Sequence, residues 1–273
     1  MEPSTANPSP PSNQPPALTK KQAKAQRKAE RLRDEQIAAA TLDALNEQIS
    51  SSAIDYLAIL DFEATCDDKT QLSVQEIIEF PTVFVSTRTG VVEQIFHTYV
   101  RPEVHPILTA FCTELTGIAQ ATVEAGVPLA QALADHKDFL TKHNLVDATT
   151  TPASRPNGAR TFVYATCGDW DLKTCLPKQL QHLQLPVPPP TMTALSSWIN
   201  LKVAFQRVCG KKALGMTTML EEFNLELQGR HHSGIDDCKN LARVVQAMMQ
   251  EKGWKPTQLT GTTLRYDNEI TDK

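Results

Sequence analysis

Three runs of strand-forming residues follow one another between residues 56 and 100, before the helical patterns of residues 108–250 begin. The first, Tyr56–Leu60, is short, apolar and bounded by charge, which is typical of a strand buried inside a sheet. The next two, Ile77–Ser86 and 91–100, are separated by a short segment that ends in Gly90, so we expect a hairpin. A further strand, 161–165, lies among helical patterns. This order of elements predicts an α/β fold with a mixed sheet flanked by helices.

The remaining segments are predicted from periodicity and composition. Helical patterns cover 108–115, 129–143, 171–182, 196–208, 216–224 and 233–250. Six of the 18 prolines lie in residues 1–16, which contain too few apolar side chains to offset the cost of ordering. We expect a disordered Pro-rich tail at 1–17, a charged helical arm at 18–50, a domain at 51–255 with an insertion loop at 147–160, and a C-terminal tail at 256–273.

Charge is distributed unevenly between the arm and the domain. Residues 20–33 contain seven basic residues and one acidic residue, whereas residues 51–273 contain 20 basic and 25 acidic residues. The arm is either a solvated helix or a segment that contacts RNA or directs nuclear import, and the sequence leaves both open. An acidic domain can still act on a polyanion if bound divalent cations neutralise its carboxylates.

Several classes of protein are excluded by pattern. No run approaches the roughly 18 apolar residues of a membrane span, and the N-terminus has no apolar core of a signal peptide. We therefore expect a soluble protein of the cytoplasm, the nucleus or both. The six cysteines form no C-x-x-C pair, which favours reduced thiols and argues against a zinc site.

Acidic residues recur at the ends of three predicted elements. Asp61 and Glu63 follow the first strand, and side chains two apart on a strand share a face. Asp171 opens the helix after strand 161–165, while the nearby Asp169 is expected to cap that helix. Asp237 lies in the first turn of the last helix.

His231 and His232 stand just before that last helix. Ser233 and Asp236 have the spacing of a capping box, which would leave Asp237 free to point into a site. His232 would lie on a loop, where an imidazole can reach a substrate. Each of the acidic sites alone has a structural explanation, such as a helix cap or a solvated pair.

Together, four carboxylates and a histidine match the requirements of two-metal phosphodiester hydrolysis. Two ions about 3.5–4 Å apart would hold the attacking and leaving oxygens, and a neutral imidazole would take a proton from water. An all-oxygen set suits Mg²⁺ or Mn²⁺.

The motifs resemble those of a known family. Asp61-x-Glu63, Trp170-Asp171 and His232-x-x-x-x-Asp237 are similar to the three motifs of DEDDh 3′–5′ exonucleases, which have an RNase H-like fold. The blocks AILDFEATC, QEIIEFP, FHTYVRP, FCTELTGI, CGDWDL, WINLK and GRHHSGIDDCKNLA resemble the Eri-type 3′ exoribonucleases over about residues 55–252.

The resemblance implies hydrolysis of RNA from an accessible 3′ end, with release of nucleoside 5′-monophosphates. It implies that two Mg²⁺ ions, or Mn²⁺ in their place, are bound by Asp61, Glu63, Asp171 and Asp237, with His232 as the general base. Substrate contacts are implied at Trp170, Leu115, Thr116, Phe62 and Ala64. The alternatives are an exonuclease acting on DNA or short oligonucleotides, and an inactive nucleic-acid-binding module.

Overall fold

A computed structural model describes residues 19–50, 54–185 and 194–262. The tail predicted at 1–17 lies outside these ranges. The chain divides into two compact units, Met1–Ile37 and Ala38–Lys273. One long helix, α1 (Lys20–Ser50), confirms the predicted helical arm. In the first unit its side chains are almost all exposed.

The second unit is built on an eight-stranded mixed sheet. The strands are β1 (Tyr56–Leu60), β2 (Glu63–Ala64), β3 (Ile77–Ser86), β4 (Val92–Tyr99), β5 (Leu145–Asp147), β6 (Arg160–Thr166), β7 (Ser197–Asn200) and β8 (Gly261–Thr262). Their order is β2-β3-β1-β6-β7-β8, with β4 paired to β3 and β5 to β6. Central β1 runs antiparallel to β3 and parallel to β6. The hairpin expected from the sequence is formed by β3 and β4.

Helices cover both faces of this sheet. They are α2 (Ala110–Thr116), α3 (Gln120–Glu124), α4 (Leu129–Lys142), α5 (Leu176–Leu183), α6 (Leu201–Cys209), α7 (Met216–Glu222) and α8 (Gly234–Lys252), with a π-helical turn at Asp171–Cys175 and a 3₁₀ turn at Pro152–Ser154. Side chains of β1 alternate between the two cores, as strand geometry requires. Leu57 and Ile59 pack with α6, α7 and α8, whereas Ala58 and Leu60 pack with α4 and α5.

The helix predicted at 196–208 is partly wrong. Ser197–Asn200 forms β7, which pairs in parallel with β6, and the helix begins only at Leu201. The Asn200 side chain accepts hydrogen bonds from the backbone N–H groups of Lys202 and Val203, so it caps α6 and ends the strand. Pairing with a strand more than 30 residues away overrides the local helical pattern.

The sheet also extends past the domain boundary predicted at residue 255. β8 pairs antiparallel with β7, and Leu259 is buried in the core. Asn46 near the end of α1 donates to the Leu259 carbonyl and accepts from its N–H. The predicted insertion at 147–160 connects β5 to β6, and the Arg155 guanidinium bonds the Ala148 and Thr150 carbonyls within it. Within the described ranges, no helix has the length and apolar character needed to cross a membrane.

Candidate active site

Asp61 and Glu63 flank the point where the chain leaves the central strand. β1 ends at Leu60, and Glu63 begins β2, which pairs with β3. Between them, the Phe62 ring turns into the core and packs edge-on against Phe80, with ring centroids 5.0 Å apart. The buried ring fixes the strand end, and the two carboxylates are left on the other side.

Asp171 is joined to this strand end by a direct hydrogen bond. It opens the π-helical turn that follows β6, and its buried Oδ1 accepts from the Phe62 N–H at 2.9 Å. Asp169, which the sequence assigned to a helix cap, has another role. Its Oδ1 accepts from Trp198 Nε1 and Asn200 Nδ2, both at 2.9 Å, and this ties the turn to β7.

Asp237 and His232 come from the first turn of α8 and the loop before it. Asp237 is buried, and its Oδ2 accepts from the His232 N–H at 3.0 Å. Its Oδ1 is also buried and has no hydrogen-bond partner among the described residues. His232 has a positive φ of 63°, and its ring stacks on that of His231 with centroids 4.0 Å apart.

The start of α8 is capped by a residue of β3 instead of by the predicted capping box. Ser233 is the N-cap residue, but within the described chain its side chain makes no capping bond. The Glu79 carboxylate, 1% exposed, accepts from the N–H groups of Gly234 and Ile235 at 2.9 and 3.1 Å. Asp236 turns away and accepts from the Arg230 N–H. The capping-box prediction is therefore wrong, because the Ser233 N–H donates to the Arg230 carbonyl and the Asp236 carboxylate accepts from the Arg230 N–H instead.

Two close approaches fix the α8 segment against the rest of the site. A Cβ on Gly234 would lie 2.6 Å from the Asp61 carbonyl oxygen, so only glycine permits the helix start to abut the strand end. On the other side of the loop, the Arg230 guanidinium donates to the carbonyls of Glu114 and Leu115 at the end of α2. It also fills the space beside Gly117.

The four carboxylates are close enough to oppose each other's ionisation. Burial raises the pKa of Asp61 well above its usual range, and the neighbouring carboxylates raise it further. Burial, followed by the charges of Asp237 and Glu79, raises the pKa of Glu63 to about 9. Burial also raises the pKa values of Asp171 and Asp237 to about 6, although backbone N–H groups partly oppose the shift. Such a group of anions favours a bound cation.

The chemistry of these donors fits a divalent metal. All four side chains supply carboxylate oxygens, which suit Mg²⁺ and Mn²⁺. Asp237 Oδ1 is a buried acceptor without a protein partner, as a ligand atom would be. One donor atom each from His231, His232 and Asp237 also lie within 4.8 Å of one another.

His232 is placed to accept a proton near these carboxylates. It is partly buried, and this burial lowers its pKa, with His231 and Arg230 contributing to the same direction. A lowered pKa keeps the imidazole neutral at neutral pH, which is the form that accepts protons.

The residues implied in substrate contacts fall into two groups. Trp170 is 38% exposed beside an open cavity of about 260 Å³, and Leu115 is half-buried. Thr116 is buried, and its hydroxyl donates to the Cys112 carbonyl and accepts from the Ile118 N–H. Phe62 and Ala64 are buried as well. Trp170 and Leu115 are therefore accessible to solvent, while the side chains of Thr116, Phe62 and Ala64 are buried.

Sequence reasoning missed Glu79, Arg230 and Lys202. Glu79 and Arg230 act on backbone groups far away in sequence, and no local spacing signals such contacts. The charge of Lys202 lowers the pKa of Asp171, and its place in the first turn of α6 gives no sign of this.

The family model and the related proteins that match this chain are all exonucleases by name. The model of the Exonuclease family matches residues 58–245. ERI1 exoribonuclease 3 of Homo sapiens is 47% identical over 195 residues, which cover 71% of this chain and 53% of that protein. The chain thus spans about half the length of this relative. The 3′-5′ exonuclease Snipper of Drosophila melanogaster is 32% identical, covering 76% of this chain and 73% of that protein.

A solved structure supports the same assignment. The nuclease domain of 3′hExo, a DEDDh family member bound to rAMP, is 32% identical with a TM-score of 0.67, and the match covers 78% of this chain and 99% of that chain. The predicted RNase H-like fold, a mixed sheet flanked by helices, is confirmed. The family model matches most of this chain, and the three motifs of the chain resemble those of DEDDh exonucleases. The chain therefore belongs to the Exonuclease family and is similar to the Eri-type DEDDh members of that family.

Proposed function

We propose that the protein is a metal-dependent 3′–5′ exoribonuclease that releases nucleoside 5′-monophosphates. The observation that carries the proposal is the group of four carboxylates with raised pKa values, beside a histidine whose pKa is lowered. The names of two relatives, an exoribonuclease and a 3′-5′ exonuclease, agree with this chemistry. We place the enzyme in residues 51–255 together with the segment that contains β8.

Asp61, Glu63, Asp171 and Asp237 would hold two Mg²⁺ ions, with Mn²⁺ as an alternative. When bound, such ions neutralise the carboxylates and stabilise the negative charge that develops on the phosphate during displacement. The protein's own contribution is to keep the four oxygen donors in place before the substrate arrives. The hydrogen bond from Phe62 to Asp171 and that from His232 to Asp237 perform this task.

His232 acts as the general base. Its neutral imidazole accepts a proton from the water that attacks the terminal phosphodiester, and this breaks the bond to the leaving 3′ oxygen of the preceding nucleotide. The backbone N–H of His232 donates to Asp237 Oδ2, and this hydrogen bond couples the position of the base to that of a metal ligand.

The substrate is RNA with an accessible 3′ end, either single-stranded or as an overhang. The exposed Trp170 ring stacks on the terminal base, and Leu115 packs on the same nucleoside. Discrimination against DNA requires a contact to the 2′-OH, which we place near Glu63 and the end of α2, at Leu115 and Thr116. One related structure is of a nuclease domain bound to rAMP, a nucleotide of RNA.

The test is a degradation assay on matched strands. A 5′-labelled RNA with a 3′ overhang is incubated with Mg²⁺ or with EDTA, beside DNA of the same sequence. We expect a ladder that shortens from the 3′ end, requires the metal and is faster on RNA. Equal or faster shortening of DNA would instead identify a DNA exonuclease. Binding of RNA without shortening in Mg²⁺ would identify a binding module and overturn the proposal.

A further inference from the structure

The first unit presents cations on one face of helix α1. At 3.6 residues per turn, side chains three and four positions apart lie above one another. Lys20, Lys24, Arg27, Lys28 and Arg31 follow this spacing and fall within an arc of about 100°. We call these five residues the basic face. All five are exposed, and the face extends for about 17 Å along the helix axis.

The other side of the same helix segment has a different composition. Ala25 and Ala29 lie there with Gln22, Gln26 and a single cation, Arg33. Lys21 borders the basic face, so six of the seven cations of residues 20–33 fall within an arc of about 120°. Only Arg31 of the basic face forms an ion pair within the described residues, at 3.4 Å from Glu35. The pair is highly exposed and contributes little to stability. A helix with few apolar residues and an ordered row of cations is suited to binding a polyanion.

We infer that the basic face binds the phosphate backbone of RNA, upstream of the 3′ end that the second unit degrades. The identity of the polyanion rests on the proposed function; the cationic surface does not. Residues 51–273 carry 25 acidic and 20 basic residues, so without bound metal ions their net charge repels a long RNA strand. Cations on α1 offset this repulsion in proportion to the number of phosphates that they contact, and they carry no base specificity.

The inference is tested with two variants of matched helix propensity. The first neutralises four cations: Lys20→Gln, Lys24→Gln, Arg27→Gln and Lys28→Gln. The second disperses three of the cations around the helix and keeps the composition and net charge: Lys24→Ala with Ala23→Lys, Arg27→Gln with Gln26→Arg, and Lys28→Ala with Ala25→Lys. Circular dichroism confirms that each variant keeps its helix content.

Binding is measured by fluorescence anisotropy of a labelled 20-nucleotide RNA in EDTA, so that no cleavage occurs. Neutralisation is expected to weaken binding at low salt by at least about tenfold and to reduce the slope of log K against log salt by about 3. Dispersal is expected to produce most of the same loss, because the cations no longer form one row. Unchanged binding in either variant would overturn the inference, because the contact would then depend on other residues or on net charge alone.

A trinucleotide substrate separates this inference from the proposed activity. It has too few phosphates to occupy the active site and contact several cations of the basic face as well, so its hydrolysis in Mg²⁺ should be unchanged in both variants. If the variants hydrolyse the trinucleotide and their RNA binding is unchanged, the RNA-binding role of the basic face is ruled out and the proposed activity stands. If the variants lose RNA binding and the wild-type protein cleaves no substrate, the role of the basic face stands and the proposed activity is ruled out. Binding of the face to anionic lipid vesicles, but not to RNA, would also overturn the inference.

Discussion

The candidate site is held together in two different ways. Asp61, Glu63 and Asp171 are positioned by the sheet: they follow β1, begin β2 and hydrogen-bond to the backbone between those strands. His232 and Asp237 belong to the α8 segment, which is attached through side chains. The sheet-borne group therefore depends on a cooperative strand ladder, whereas the α8 group depends on a few individual contacts.

Glu79 and Arg230 supply the main side-chain contacts of the α8 group. The Glu79 carboxylate receives two N–H groups of α8 and also lies 2.8 Å from His97 Nε2. Arg230 connects the loop before α8 to the end of α2. Loss of a metal ligand and misplacement of a metal ligand are therefore separable defects, and each can be produced by a single substitution.

The largest effect is expected from a sheet-borne ligand. Asp61→Asn should reduce kcat by at least about 10³-fold, because it removes an oxygen donor from the metal site. The melting temperature in EDTA should not fall, since one of the repelling carboxylates is gone. Kinetics and thermal unfolding of the same preparation check both statements. Activity within tenfold of wild type would exclude Asp61 from the site.

Glu79 is the sharpest test of the α8 group. Glu79→Gln should lower kcat by about 10- to 100-fold, because it weakens the support of α8 and hence of Asp237 and His232. Steady-state kinetics measure kcat, and thermal unfolding measures the melting temperature of the same variant.

Glu76 provides the matched control for Glu79. It is another buried glutamate, but it accepts from the N–H groups of Glu103, Val104 and His105, which belong to a different loop. Glu76→Gln should lower the melting temperature to a similar extent and leave kcat much closer to wild type. Equal losses of kcat in the two variants would mean that Glu79 contributes only to overall stability and has no specific role in positioning Asp237 and His232.

A smaller effect is expected at Arg230. Arg230→Gln removes the guanidinium contact to the end of α2, so KM for RNA should rise by about fivefold with a smaller change in kcat. Arg243→Gln is the control, because that guanidinium also bonds a main-chain carbonyl of the loop before α8, that of Glu226, but makes its contact from within α8 and not to α2. A change in the control equal to that in Arg230→Gln would contradict a specific role for the contact to α2.

The smallest effect concerns stability without metal. The folded-state pKa of Glu63 is raised from 4.5 to about 9, so the folded protein retains a proton that the unfolded chain loses. Its contribution to stability is present below pH 4.5 and is lost as the pH rises towards 9. Glu63→Gln does not titrate, so in EDTA its melting temperature should exceed that of wild type by a margin that grows from pH 6 to pH 9. A constant margin would contradict the raised pKa.

The sheet-borne residues of the site could be predicted from the sequence, whereas the residues that hold the α8 group in place could not. Asp61, Glu63 and Asp171 stand at the ends of strands and turns that local patterns identify. Glu79 could not be identified in this way, because it acts on backbone groups of α8 that lie 155 residues away. The same limit applies to β7, whose strand conformation depends on pairing with β6.

The assignment of His232 as the base and of the four carboxylates as metal ligands is tested most directly by His232→Asn, measured for both metal binding and hydrolysis. Removing the base should lower kcat by about 10²- to 10⁴-fold. The Mn²⁺ affinity, measured by calorimetry, should stay within about threefold of wild type, because the four carboxylates remain. Loss of metal affinity in parallel with kcat would contradict this assignment and make His232 a metal ligand.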